Sequence, residues 1–135
     1  MLEALRTAGT PVIRTYFTDE LAWECVLAEM TAPQGDFIAN ISPVDDSRFE
    51  GLAPEQAGAL AAAAGHAICL LVDGEAVTRL DHAFLVVEAA AANARMFRCV
   101  PEQAWSVENN LSLANMDFED FMGATDETGT FRGFV

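Results

Sequence analysis

The chain has 135 residues, 52% of them apolar and 21% charged, which is enough for one domain with its own core and excludes a disordered segment. Twenty-one Asp and Glu oppose seven Arg and no Lys, a net charge of −14. Phosphate backbones and anionic bilayers bind clustered cations, so nucleic acid and membrane are excluded as partners, and a basic protein or a cation is favoured.

At the N-terminus, Met1-Leu2-Glu3-Ala4-Leu5-Arg6 has no basic stretch ahead of an apolar one, so no secretory signal is expected. Residues 11–17 predict a strand, with Val12, Ile13, Tyr16 and Phe17 supplying β-branched and aromatic bulk. Thr18-Asp19-Glu20 then offers a cap and first-turn acids for a helix over 19–32, with Leu21, Ala22, Cys25, Val26 and Met30 at helical spacing. Pro33-Gln34-Gly35 stops it, and 37–44 predicts a second strand whose Pro43 marks an end or an edge.

After a polar connection, Pro54 opens a helix over 55–64 that Gly65 closes. The unbroken apolar run 67–72 suits a central strand covered on both faces. Asp73-Gly74 turns the chain into a connection over 75–82, and strands at 84–88 and 95–100 follow as an antiparallel pair. Residues 101–105 form a turn ahead of an amide-rich crossing. A last helix over 117–124 is capped by Asp117 and buries Phe118, Phe121 and Met122, and an aromatic tail, Phe131 to Phe134, docks behind it.

The order β-α-β-α-β-β-β-α implies a single α/β domain over 1–135: a mixed sheet of about five strands with helices packed on it, α+β being the alternative. Helical crossovers join the first three strands, so these are expected to run parallel.

Three groups of residues could carry chemistry. Asp19, Asp45, Asp46 and Asp73 each follow a predicted strand, where open α/β sheets bind ligands, and together they could hold a hard cation such as Mg²⁺. Caps and turns ask for Asp at such places on stereochemical grounds alone. The segment from Trp105 to Asn115 sets Glu108, Asn109, Asn110 and Asn115 among large apolar residues, which makes either a site or a plug whose amides bond a neighbouring loop. His66 and His82 could join a Ser and an Asp on paper, but no Gly-x-Ser-x-Gly elbow is present, and His66 suits a helix C-cap. No dinucleotide or phosphate-binding glycine loop, His-Glu-x-x-His or EF-hand pattern occurs, so no cofactor is expected. Cys25, Cys69 and Cys99 are too widely spaced for a zinc knuckle or redox dithiol, and read as buried, reduced thiols of a cytoplasmic protein.

Several blocks together resemble a family of small actinobacterial proteins carrying a domain of unknown function. They are Val12 to Asp19, Val44-Asp45-Asp46 with Leu52 to Gln56, Leu85-Val86-Val87, Trp105 to Phe121, and Phe131 to Phe134. The resemblance spans nearly the whole chain. It implies one domain in a bacterial cytoplasm and brings no activity, cofactor or site residue.

Two functions follow from the residues. The first is an acidic binding or regulatory module that engages a protein partner, basic by charge and of the immunity type in one concrete form, or a second copy in a homodimer. Its binding residues would be Trp105, Glu108, Asn109, Asn110, Asn115, Phe118 and Phe121, with Trp23, Phe131 and Phe134 as further aromatic anchors. The second is a small enzyme acting on a polar metabolite or peptide, with Glu108 as acid or base and Asn109 and Asn110 beside the strand-end carboxylates.

Overall fold

The structure, a computed structural model, describes residues 1–134. Its strands are β1 (Thr10–Arg14), β2 (Ile41–Val44), β3 (Ile68–Val72), β4 (Phe84–Glu88), β5 (Met96–Cys99) and β6 (Thr130–Phe131). Its α-helices are α1 (Glu20–Thr31), α2 (Pro54–Ala63), α3 (Gly74–Thr78), α4 (Ala104–Ser112) and α5 (Phe118–Met122). The strands form one mixed sheet in the order β2-β1-β3-β4-β5-β6. β1 lies parallel to both β2 and β3, β4 runs antiparallel between β3 and β5, and β6 adds parallel to β5. The four-residue β2, with Pro43 in it, forms one edge, and the two-residue β6 forms the other.

Helices cover both faces of the sheet because alternate strand residues are apolar on both sides. On one face Val12, Leu70, Val86 and Phe97 meet Trp23, Val26 and Met30 of α1, Val107 and Leu111 of α4, and Phe118 and Phe121 of α5. On the other, Ile13, Leu71, Leu85 and Val87 meet Leu5, Phe49 and the alanines Ala57 and Ala61 of α2. The Phe121 ring packs edge-on to Phe131 at 5.0 Å and parallel to Phe97 at 6.1 Å, filling the corner under α5.

The architecture is α/β, as the element order predicts, with four differences. A sixth strand, β6, was too short to carry a pattern. Residues 37–40, expected in a strand, lie outside β2: Phe37 closes a turn on Gln34 through its backbone, and the Ile38 carbonyl and Asn40 N–H bond to α4. The amide-rich crossing is itself a helix, α4. Cys25, expected to be buried, is exposed on α1; only Cys69 and Cys99 are in the core.

Small side chains let α2 approach the sheet. A Cβ on Gly58 would stand 2.8 Å from the Glu88 carbonyl oxygen and 3.0 Å from the Ala94 Cβ. Gly58→Ala therefore pits roughly 1 kcal/mol of helix propensity against displacement of a helix from a strand. We expect displacement to win, with a net loss of about 1–2 kcal/mol in urea unfolding; an unchanged or raised midpoint would show that α2 lifts freely.

Candidate functional site

α4 explains how an amide-rich segment becomes helical. Ala104, Val107 and Leu111 turn into the core, while the Asn109 side-chain amide donates to the Trp105 carbonyl at 2.7 Å and that of Asn110 to the Ser106 carbonyl at 2.8 Å. Both amides are thus satisfied one turn back along their own helix, which removes the penalty for placing them there. Residues 37–40 then hang on α4. Asn109 also donates to the Ile38 carbonyl at 3.2 Å, Glu108 Oε1 accepts from the Asn40 backbone N–H at 2.6 Å, and the Phe37 ring stacks on Trp105 at 4.5 Å. Trp105 Nε1 is buried and has no hydrogen-bond partner among the described residues.

At the end of this helix a cleft of about 150 Å³ opens where β1, β2 and β3 begin. Glu108, Thr10, Ser112, Asn40 and His66 line it. Thr10 and Ser112 share a hydrogen bond between their hydroxyls at 3.0 Å. His66 Nε2 lies 2.6 Å from the Leu5 carbonyl, an acceptor only, so a ring proton is assigned to Nε2. Glu108 is 5% exposed, and no basic group pairs with it among the described residues. The cleft brings together His66, Ser112 and a carboxylate, but the serine's hydrogen-bond partner is Thr10, not the imidazole, so no base stands ready to activate it.

The strand-end acids lie at the opposite end of the sheet, and arginines hold them. Asp45 follows β2 and meets Arg14 at 3.2 Å; Arg14 is 4% exposed, also pairs with Glu20, and lies 4.5 Å from the Phe17 ring centre. Asp73 follows β3, caps α3 through the Ala76 N–H at 3.0 Å, and takes both prongs of Arg98 at 2.9 and 2.7 Å. Burial pushes the Asp73 carboxyl up, but the Arg98 and Ala76 hydrogen bonds outweigh it and leave the group lowered. Asp46 is held at about 2, chiefly by hydrogen bonds from Arg48, and Asp19 caps α1 through the Ala22 N–H. Arg79 and Arg132 close on Asp81, which their hydrogen bonds lower further.

Among the described residues the four acids Asp19, Asp45, Asp46 and Asp73 do not gather into a metal-ligand set, because caps and guanidiniums claim them. The length of the parallel strands, about 15 Å, separates Glu108 from Asp45 and Asp73. Phe118 and Phe121, expected at a binding surface, are core residues instead, as are Trp23 and Phe131. Asn115 is exposed beyond the end of α4, where its backbone N–H closes on the Asn110 carbonyl. Thr10 and His66 were not foreseen in the cleft, since only the register of β1 against α4 and α2 brings them there. Burial pushes the Cys69 thiol up to about 12 and raises Cys99 as well, so neither is a ready nucleophile.

The model of a domain of unknown function, DUF6924, matches residues 9–134, the span that holds all six strands, the cleft lining except Ala8, and the arginine-held acids. The chain belongs to the DUF6924 family. No curated protein matches it. In this DUF6924 domain the two ends of the sheet differ in kind: the carboxyl end is closed by guanidinium–carboxylate pairs, and the amino end carries an open polar cleft. No helix among its described residues is long and apolar enough to cross a membrane.

Proposed function

We propose that this DUF6924 domain is an acidic recognition module that docks a basic protein partner on the side where Phe37, Ile38 and α4 meet. The observation that carries the reading is a group of exposed apolar side chains held on rigid structure: Phe37 at 52%, Ile38 at 54% and Leu113 at 70% exposure. Trp105 and Asn109 stand one turn apart on α4, with Leu113 as the residue that caps its C-terminal end, and Phe37 and Ile38 lie against the first two. Aromatic and aliphatic anchors with a charged surround are the ordinary make-up of a protein interface. The charge supports the choice of partner. Six of the seven guanidiniums are held in ion pairs within the fold, so the field that reaches solvent is dominated by unpaired carboxylates.

Partner neutralisation of the immunity type is the concrete role this supports, in the reducing cytoplasm of a bacterium where the unpaired thiols are stable. The enzymatic reading asks for Glu108 beside the strand-end carboxylates, and these lie at opposite ends of the strands.

Leu113→Asp tests the docking face, since Leu113 is exposed and its loss leaves the core intact. We expect the wild-type chain to retain a saturable, salt-sensitive protein partner from a lysate of the cells that make it, and Leu113→Asp to lose it at unchanged melting temperature. A variant that retains the partner equally well would refute this face. Light scattering that shows a dimer disrupted by Leu113→Asp would replace the basic partner with a second copy.

A further inference from the structure

We propose that the Glu108 cleft binds a primary ammonium group. The inference stands on the burial of Glu108 and not on the docking face proposed above. Glu108 Oε1 is held by the Asn40 N–H and the Asn109 amide, whereas Oε2 makes no hydrogen bond to the described residues. That oxygen opens on the cleft and not into the core, and the fold sets no cation against it: the chain has no lysine, and no arginine or histidine pairs with Glu108 among the described residues. A cation that enters the cleft would meet it unopposed.

The rest of the lining selects which cation. Thr10 and Ser112 offer hydroxyl lone pairs, and His66, with its Nε2–H on the Leu5 carbonyl, offers Nδ1 as an acceptor in the neutral form of the ring. A carboxylate oxygen, two hydroxyls and an imidazole lone pair suit a group with one positive charge and three N–H donors. A divalent metal asks for more than one carboxylate, and an anion is repelled by the one present. A cleft of about 150 Å³ has room for the ammonium and part of an alkyl stem. Two sources carry this chemistry, a free alkylamine and the lysine side chain of a basic protein.

Amide chemical shifts of the whole chain at low salt decide it, with n-butylammonium and Nα-acetyl-lysine amide as ligands. Acetyl-norleucine amide and tetramethylammonium are the controls, the first without charge and the second without N–H donors. We expect both amines to shift Asn40 and Ser112 saturably, and neither control to do so. Glu108→Gln, which keeps the Oε1 acceptor for Asn40, should weaken binding at least about tenfold. Ser112→Leu, at an exposed position on the cleft wall, should block binding without touching the charge, and it decides the matter if Glu108→Gln fails to fold. Equal affinity for the two amines identifies a free amine as the ligand class, and markedly tighter binding of the lysine amide identifies a peptide lysine. Absence of saturable shifts with either amine, or shifts that persist in Glu108→Gln and Ser112→Leu, overturns the proposal. Either result leaves the docking face to be judged by Leu113→Asp alone.

Discussion

Phe121→Ala is expected to cost about 3–5 kcal/mol, the largest loss of any single truncation proposed for this fold. The ring is fully buried and meets Phe97, Phe131 and Phe134, three aromatic side chains from two strands and the tail. Removing it leaves a void bounded by rigid rings that cannot collapse inward, so the cavity adds to the lost transfer energy. Set against a total stability of about 5–15 kcal/mol for a domain, such a loss leaves a protein close to its unfolding threshold. The melting temperature should fall by roughly 10–20 °C. Phe134→Ala, which removes a half-exposed ring from the same cluster, should cost no more than about 1–2 kcal/mol. Equal effects of the two substitutions would show that the cluster is not a packed corner.

The second large effect concerns Arg98. Its guanidinium takes both Asp73 oxygens and also donates to the Ala83 carbonyl, linking the end of β3, the cap of α3 and the start of β4. Arg98→Met leaves a mostly buried carboxylate without its cation, and a loss of roughly 2–4 kcal/mol at neutral pH is expected. The pH dependence identifies the cause. Because the Asp73 carboxyl is lowered in the folded state, its contribution is present in full above the unfolded value near 3.9 and is lost as pH falls through the folded one. The wild-type urea midpoint should therefore hold from about pH 7 to 5 and fall below about pH 4, and the gap to Arg98→Met should narrow over that same fall. A gap of constant size down to pH 2 would mean that Arg98 acts through packing alone.

How far the residues foretold this arrangement depends on the range over which each signal acts. The parallel β1-β2 and β1-β3 pairs were legible because helices 20–31 and 54–63 announce their caps, a Pro at the first turn and the breakers Pro33 and Gly65. The antiparallel β4-β5 pair was legible from two apolar runs and a short connection. α4 was not, because Asn109 and Asn110 disfavour helices unless their amides find partners, and those partners become visible only once the helix exists. Phe37 and Ile38 read as strand by composition, yet neither joins the sheet; a turn closed on Gln34, stacking on Trp105 and a bond to Asn109 decide their place. The cleft was hidden for the same reason. Thr10 stands about a hundred residues from Glu108 and Ser112 in the chain, and only tertiary register makes it their neighbour. The arginines look scattered in sequence, but Arg14, Arg79 and Arg98 converge on the carboxyl end of the sheet.

The two outer strands carry a consequence for assembly. Four residues with a proline on one side and two residues on the other present no continuous ladder of free amide and carbonyl groups. An incoming extended segment would find nothing to zip against, so growth into ribbons or fibrils has no template in the native fold. Any protein that joins this domain must therefore grip its side chains, because the main chain offers no handle.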